Sequence, residues 1–122
     1  MDIAANNVLV TGGAGYIGSI LVPHLLGQDF KVTVLDNLMY SQATLFDCCA
    51  NDNFEFIKGD ICDSNLLNSI IPGFDIVIPL ASIVGAPACK RNPTLSRSVN
   101  YDAHMNIAKK VSTNQIIIFP TT

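Results

Sequence analysis

The chain has 122 residues, a length that allows at most one domain. With 49% hydrophobic and 14% charged residues it can bury a core, and this composition excludes a disordered chain. The net charge of −3, without a basic patch, argues against nucleic acid or an anionic membrane as the main partner, and no apolar run reaches the roughly 18 residues that span a bilayer.

The N-terminus and the cysteines indicate a cytosolic protein without a metal site. Residues 1–7 lack the basic region and the long apolar segment of a secretory signal peptide. Cys48, Cys49, Cys62 and Cys89 form no C-x-x-C pair and are far in sequence from the two histidines. We therefore expect free thiols of a reducing compartment.

The first half of the chain alternates strand and helix patterns. The predicted elements are a strand over residues 7–11, a helix over 16–27, a strand over 31–35, a short helical segment over 42–50, a strand over 54–57 and a helix over 64–70. The first helix shows an apolar face formed by Ile17, Ile20, Leu21 and Leu25, and Asp63 is placed to cap the last helix.

The second half continues the alternation. Its predicted elements are a strand over residues 74–78, a long loop over 83–92, a helix over 94–112 that Pro93 opens, and a strand over 115–119. Apolar residues of the long helix recur every four positions, at Leu95, Val99, Ala103, Ile107 and Val111. Near-continuous Val/Ile strands between helices predict an α/β fold, a doubly wound parallel sheet of Rossmann type with strand order 3-2-1-4-5 that ends after strand five.

Three glycines between the first strand and the first helix form the most informative motif. Gly12 lets the chain leave the strand in a tight turn, Gly15 lets backbone amides approach a pyrophosphate, and Gly18 lets the helix lie close on the sheet. The N-terminus of that helix directs free amides and a positive dipole end at the same anion. A glycine turn that merely joins a strand to a helix is the alternative, but the second strand ends in Asp36, where an acidic residue receives ribose hydroxyls.

The informative residues also share one place in the predicted fold. Gly12, Asp36, Asp60, Ala81 and Thr122 each follow a different strand. Ligands of doubly wound sheets bind outside the carboxyl ends of the strands, at the switch between strands one and four. The sequence therefore predicts one dinucleotide site at this edge.

These residues resemble a known family. The segments Thr11–Gly18, Asp36–Leu38 and Gly59–Ile61 are similar to those of the extended short-chain dehydrogenases/reductases, and within them to NAD-dependent nucleotide-sugar epimerases and dehydratases of the UDP-glucose 4-epimerase type. The resemblance covers the whole chain, whereas such enzymes typically run to more than twice its length. It implies that residues 1–122 form an incomplete NAD-binding Rossmann domain.

The resemblance implies a cofactor contact at each matched position. It assigns the pyrophosphate to Gly12, Gly15, Tyr16 and Ile17, the adenosine ribose to Asp36 and Asn37, the adenine to Asp60 and Ile61, and the nicotinamide-side ribose to Leu80, Ala81 and Ser82. Asn100 matches an asparagine that helps to order the strand ends around the cofactor. Thr122 matches the catalytic Ser/Thr that hydrogen-bonds the sugar 4-hydroxyl. A nucleotide-sugar substrate and a homodimer are implied for the complete protein.

Several assignments have a structural alternative. Asp60 also suits a cap of the turn before the next helix, and Asn100 also suits an ordinary helix surface. Thr122 also suits a solvated chain terminus. Tyr16 is expected to pack rather than to react, because it starts a helix without a base beside it.

Asp36 also predicts the choice of cofactor. A carboxylate at this position accepts from both ribose hydroxyls and repels a 2′-phosphate. No arginine or lysine lies between Asn37 and Ala50 to offset that repulsion. We therefore expect NAD rather than NADP.

The chain departs from the family pattern in its catalytic residues. The family reacts through a Tyr-x-x-x-Lys pair, and Tyr16, Tyr40 and Tyr101 are each followed four residues on by a residue other than lysine. Pro79 stands where the family often has histidine, and Val84 where the epimerases often have a lysine near the phosphates. We expect these 122 residues alone to be inactive.

Three functions are compatible with these observations. The first is the NAD-binding portion of a nucleotide-sugar epimerase. The second is the same portion of a 4,6-dehydratase, in which Asp-Glu follows the residue that matches Thr122. The third is a non-catalytic NAD-binding module that a partner completes. The sequence identifies neither the sugar nor the reaction.

Overall fold

The computed structural model describes residues 6–121 and contains a five-stranded parallel sheet. The strands are β1 (Asn7–Thr11), β2 (Lys31–Asp36), β3 (Phe54–Lys58), β4 (Ile76–Pro79) and β5 (Ile116–Ile117). Their spatial order is β3-β2-β1-β4-β5, which confirms the predicted doubly wound topology. β1 lies at the centre, between β2 and β4, so its carboxyl end falls at the switch point of the sheet.

Helices cover both faces of the sheet. They are α1 (Tyr16–Gly27), α2 (Ser64–Ile70), α3 (Ala86–Arg91), α4 (Pro93–Arg97) and α5 (Ala103–Lys110). A π-helical turn, Ser98–Asp102, joins α4 to α5, and two 3-10 turns lie at Phe46–Ala50 and Ile71–Gly73. Asp63 caps α2 as predicted, because its carboxylate accepts from the amide of Leu66 at 3.1 Å.

Two apolar cores lie on opposite faces of the sheet. Alternate residues of β1 divide between them: Val8 and Val10 face the core under α1, and Leu9 faces the core under α2 and α5. The predicted apolar face of the long helix packs in the second core, at Leu95, Val99, Ala103, Ile107 and Val111. Both faces of the central strand are therefore buried, which accounts for its unbroken apolar sequence.

The predicted face of α1 is correct at Leu21 and Leu25, which pack against the first core, and wrong at Ile17 and Ile20. Ile17 and Ile20 are exposed, and the buried residues are Gly18, Val22 and Leu26. The close approach at Gly18 sets the rotation of the helix, so the buried stripe follows the i, i+4, i+8 series from that glycine. The apolar pattern alone did not reveal this, because both faces of α1 carry aliphatic side chains.

Several predicted boundaries differ from the structure. Residues 42–50 form only a 3-10 turn from Phe46. Its buried residue Cys48 lies three positions after Leu45, the buried residue that precedes the turn, and three is the spacing of that helix type. The predicted loop 83–92 contains α3, since proline in a first turn does not break a helix. The predicted helix 94–112 is instead three consecutive segments that end at Lys110.

The last two strands are shorter than predicted, and Pro79 explains the early end of β5. β4 begins at Ile76 rather than residue 74, and β5 covers only Ile116–Ile117 of the predicted 115–119. The amide of Leu80 donates to Thr11 of β1, so the preceding nitrogen, that of Pro79, faces β5. Proline has no proton to donate there, which ends the ladder between β4 and β5.

The second core gives a stability prediction. Ile107 is fully buried there, whereas Met105, two residues earlier on α5, is 43% exposed. Ile107→Ala should lower the free energy of unfolding by about 2–5 kcal/mol, because it leaves a cavity. Met105→Ala, the matched control, should change it by about 0.5 kcal/mol or less. Urea unfolding of both variants measures the difference, and equal losses would contradict the assigned packing.

Candidate functional site

One cavity of about 410 Å³ opens at the carboxyl ends of β1 to β4. Eleven of the twelve residues predicted to hold a cofactor line it: Gly12, Gly15, Tyr16, Ile17, Asp36, Asn37, Asp60, Ile61, Leu80, Ala81 and Ser82. The twelfth, Asn100, lies behind the wall. The predicted catalytic residue, Thr122, falls outside the described residues.

The turn after β1 depends on two close backbone approaches. Gly12 has a φ of +69°, and a Cβ there would overlap the backbone of Ala81 on the neighbouring strand. A Cβ at Gly18 would overlap the backbone of Gly13. Gly18 was expected to allow close packing of the helix, and the structure shows that its partner is the turn itself.

The N-terminus of α1 faces the cavity and suits an anion. Gly15, the residue before the helix, provides no side-chain cap, and the first turn contains no acidic residue. The amides of this turn therefore have no side-chain partner, and the helix dipole adds positive potential. A pyrophosphate fits the chemistry of this end of the cavity. The expectation that Tyr16 packs is wrong, because its side chain is 83% exposed at the rim.

Asp36 connects two walls of the cavity. One carboxylate oxygen accepts from the amide of Ala14 at 3.0 Å, and the other accepts from the amide of Leu38 at 2.8 Å. Leu38 has a φ of +56°, a left-handed conformation that is costly for leucine and that this bond helps to hold. Asp36 thus fixes the glycine turn and the loop after β2 in one arrangement.

The loop after β2 supplies cavity residues that sequence reasoning did not single out. Met39, Tyr40 and Gln42 line this side, and the amide of Met39 donates to the Asn37 side chain at 2.9 Å. The position of the loop behind an acidic strand end was the only signal in the sequence. No lysine or arginine is among the described residues that line the cavity, so Asp36 and Asp60 set its electrostatic character.

Asp60 both caps a turn and borders the cavity. Its carboxylate accepts from the amide of Cys62 at 2.8 Å, and its carbonyl accepts from the amide of Asp63 at 3.0 Å. The capping alternative is therefore observed together with the predicted location. Burial, followed by the nearby Asp60 carboxylate, raises the pKa of the Cys62 thiol, which keeps it protonated at neutral pH.

Asn100 holds the cavity wall from behind. Its side chain accepts from the amide of Ile83 at 2.7 Å and donates to the carbonyl of Ile83 at 2.9 Å. Asn100 lies in the π-helical turn, a helix type that is frequent at functional sites. The side chain holds the segment that follows β4 and makes no part of the cavity lining.

His104 is a polar residue of this region that sequence reasoning missed. Its Nε2 lies 2.8 Å from the carbonyl oxygen of Ala81, a cavity residue. The spacing from Asn100 is four residues, which places both side chains on one helix face. That spacing was the available signal.

Metal-binding clusters and membrane-spanning helices are both absent from residues 6–121. Within this range no group of three His, Cys, Asp or Glu side chains is arranged to hold a metal ion. None of its helices combines the length and the apolar character needed to cross a membrane.

Comparisons with known proteins converge on one family. Residues 8–122 match the model of the NAD dependent epimerase/dehydratase family. A dTDP-glucose 4,6-dehydratase from Streptomyces niveus is 40% identical over 83 residues, which cover 62% of this chain and 25% of that protein.

Solved structures show the same fold. UDP-glucose 4-epimerase from Thermotoga maritima, solved with UDP-glucose, superposes with a TM-score of 0.79 at 28% identity over 93% of this chain and 37% of that one. UDP-glucose 4-epimerase from Thermus thermophilus, solved with NAD, gives 0.72 at 29% identity over 85% of this chain and 33% of that one. The chain thus spans about a quarter to a third of the length of these relatives.

Gly18 and Gly27 both lie on α1, but only Gly18 is crowded by other atoms, so the pair gives a matched test of the contact between the helix and the glycine turn. Gly18→Ala should lower the free energy of unfolding by about 2 kcal/mol or more, because the new methyl group meets the Gly13 backbone. The methyl group of Gly27→Ala meets no atom within 4 Å, so this change should raise the free energy of unfolding by about 0.4–1 kcal/mol. Thermal unfolding shows whether each variant is less or more stable than the unmodified chain. A stabilising Gly18→Ala would refute the close contact.

Proposed function

Because this chain belongs to the NAD dependent epimerase/dehydratase family, we propose that it is the NAD-binding portion of a nucleotide-sugar epimerase that acts by transient hydride transfer at the sugar C4. The observation that supports this most is the convergence, in one cavity, of the glycine turn, the open helix N-terminus and Asp36. A structure at 29% identity that was solved with NAD adds support for the cofactor.

Each wall of the cavity has a proposed part in binding. Gly12 and Gly15, with the first amides of α1, receive the pyrophosphate, and Tyr16 and Ile17 flank it. Asp36 and Asn37 receive the adenosine ribose. NAD supplies a reversible hydride acceptor when it is bound.

The remaining walls are assigned to the two ends of the cofactor. Asp60 and Ile61 border the adenine, and the Asp60 carboxylate accepts from the exocyclic amine. Leu80, Ala81 and Ser82 border the nicotinamide-side ribose, and Asn100 orders this segment through Ile83. This chain's residues bind and orient the cofactor, while the tyrosine–lysine pair of the family has no counterpart in the sequence.

The cavity favours NAD over NADP. Asp36 is the charged group at the ribose position, and none of the described cavity residues is a cation that could neutralise a 2′-phosphate. Both oxygens of Asp36 are also fixed by backbone amides, so the carboxylate cannot turn away without breaking these bonds. Repulsion between the fixed carboxylate and a phosphate therefore persists in the complex.

A substitution of Asp36 tests the cofactor assignment. Asp36→Asn removes the charge and one acceptor oxygen, and should weaken NAD binding by about 10- to 100-fold, the range for a hydrogen bond to a charged group. The same change should narrow the preference for NAD over NADP. Titration calorimetry with both cofactors measures the two effects.

Asp29→Asn is the control for this experiment. It removes the same charge from an exposed position at the far end of α1, where a φ of +63° also suits asparagine. It should leave both affinities unchanged. Stronger binding of NADP than of NAD by the unmodified protein would overturn the proposal.

A 4,6-dehydratase is the second candidate, favoured by the 40% identity with the Streptomyces niveus dehydratase. The two reactions share the cofactor and differ in product: an epimerase inverts one sugar carbon at constant mass, whereas a dehydratase removes one water. Chromatography of UDP- and dTDP-glucose incubated with NAD and the complete protein, followed by mass spectrometry, distinguishes them. An epimer elutes separately at unchanged mass, and a dehydration product is lighter by one water. NAD binding without either change would favour a non-catalytic module.

The complete protein is also proposed to act on a nucleotide sugar as a homodimer. Support for the substrate comes from the solved neighbour that contains UDP-glucose. Thr122 is proposed to contact the sugar 4-hydroxyl in that complete protein.

A further inference from the structure

His104 is fixed between a cavity residue and an aromatic ring. It lies on α5, is half-buried, and places Nε2 at 2.8 Å from the carbonyl oxygen of Ala81. The ring of Phe119 meets the imidazole edge to face, with centroids 5.2 Å apart and an interplanar angle of 84°. The other ring nitrogen, Nδ1, is buried and has no hydrogen-bond partner among the described residues.

These contacts determine the protonation state of the imidazole. A carbonyl oxygen can only accept, so Nε2 carries a proton and donates it to Ala81. In the neutral ring Nδ1 then has a lone pair, which costs less to bury unpaired than an N–H of a cation. Burial lowers the pKa of His104, and the bond to Ala81 offsets only part of that effect. The neutral Nε2–H tautomer is therefore the form that fits the fold.

The carbonyl that His104 holds belongs to a critical part of the cavity. Ala81 lines the cavity, and its backbone makes the close approach that only glycine permits at position 12. A shift of Ala81 would therefore be transmitted to the turn that receives the pyrophosphate. Asn100 fixes the same segment two residues further on, at Ile83, so two side chains of one helical stretch hold this wall.

We propose that His104 is a positioning residue that, as a neutral imidazole donor to the Ala81 carbonyl, sets the affinity of the cavity for the dinucleotide. This inference rests on the proposed function. An imidazolium would need an acceptor for its Nδ1 proton, and the ring must leave its present position to find one. Loss of the bond to Ala81 then loosens the wall against which the cofactor binds.

The affinity for the dinucleotide depends on pH because binding is coupled to the protonation of His104. Binding favours the neutral ring, so affinity is complete above the pKa of His104 and falls as the pH drops through it. The loss levels off at about two- to tenfold, the cost of one hydrogen bond, once the protonated ring has given up its bond to Ala81.

Charged groups around the imidazole are few. Ala81 and Phe119, which contact the ring, lie in residues 79–84 and 118–121, and these segments contain no titratable side chain. On its own helical stretch Asp102 is paired with Arg97 at 3.7 Å, Lys110 is hydrogen-bonded to Asn68 of α2, and Tyr101 and Lys109 are exposed. Asp36 and Asp60 line the cavity, and Cys62 donates its amide to Asp60. All of these groups are present in every variant below.

Two substitutions at position 104 distinguish the effect of the hydrogen-bond donor from the effect of protonating the imidazole. In His104→Gln the amide nitrogen can occupy the place of Nε2 and donate to Ala81, but it cannot be protonated. In His104→Met the volume is similar and the donor is lost. His24→Gln, at the exposed histidine of α1, is the control. NAD affinity of the full chain is measured by calorimetry from neutral into acid pH.

The expected results differ for each protein. At neutral pH His104→Gln should bind as the unmodified chain does, and His104→Met should bind roughly two- to tenfold more weakly, as for loss of one hydrogen bond. On acidification the unmodified chain and His24→Gln should lose affinity more steeply than His104→Gln. The difference isolates the imidazole, because carboxylate titration is common to all of them.

Parallel pH profiles of the unmodified chain and His104→Gln would overturn the inference, even if His104→Met does not fold. If the unmodified chain does not bind NAD at all, the proposed function fails. In that case amide hydrogen exchange at Gly12 and residues 80–83 tests whether the bond to the Ala81 carbonyl holds this segment in place. Lower protection in His104→Met than in His104→Gln supports the positioning role, and equal protection refutes it.

Discussion

The close approach of the Gly12 backbone to the Ala81 backbone is the constraint on which the site depends. It brings the turn after β1 against the extension of β4, the two strands that flank the switch point of the sheet. Any side chain at position 12 would separate them, and its φ of +69° would strain most other residues. The contact therefore brings the glycine turn and the segment after β4 together as two adjoining walls of the cavity.

Polar side chains around the cavity are used mainly to hold backbone. Asp36 binds the amides of Ala14 and Leu38, and Asp60 binds the amide of Cys62. Behind the wall, Asn100 and His104 hold the segment after β4. Such bonds fix the cavity before a ligand arrives, which lowers the conformational entropy that binding must otherwise remove. Three sides of the site are therefore held by hydrogen bonds between side chains and backbone.

Sequence reasoning recovered the features that depend on local patterns. The sheet order and the cavity lining followed from strand composition, glycine spacing and the positions of Asp36 and Asp60, because parallel strands bring their carboxyl ends together. The buried face of α1 did not follow, since Gly18 rather than the aliphatic pattern sets it. His104 was also missed, because its partner is a backbone carbonyl 23 residues away, and nothing in a sequence marks such an acceptor.

The hydrogen bonds of Asp36 are compatible with its proposed contact to ribose. An ionised carboxylate has about four lone-pair directions, two on each oxygen. Ala14 uses one direction of one oxygen and Leu38 uses one of the other, so each oxygen retains one acceptor direction. Two ribose hydroxyls need two acceptor directions, and the protein need not break either amide bond to supply them. A carboxylate held in this position repels a 2′-phosphate. Structural support and the proposed cofactor choice therefore depend on one carboxylate, and a substitution that keeps the fold while changing the cofactor must replace both amide bonds as well as the charge.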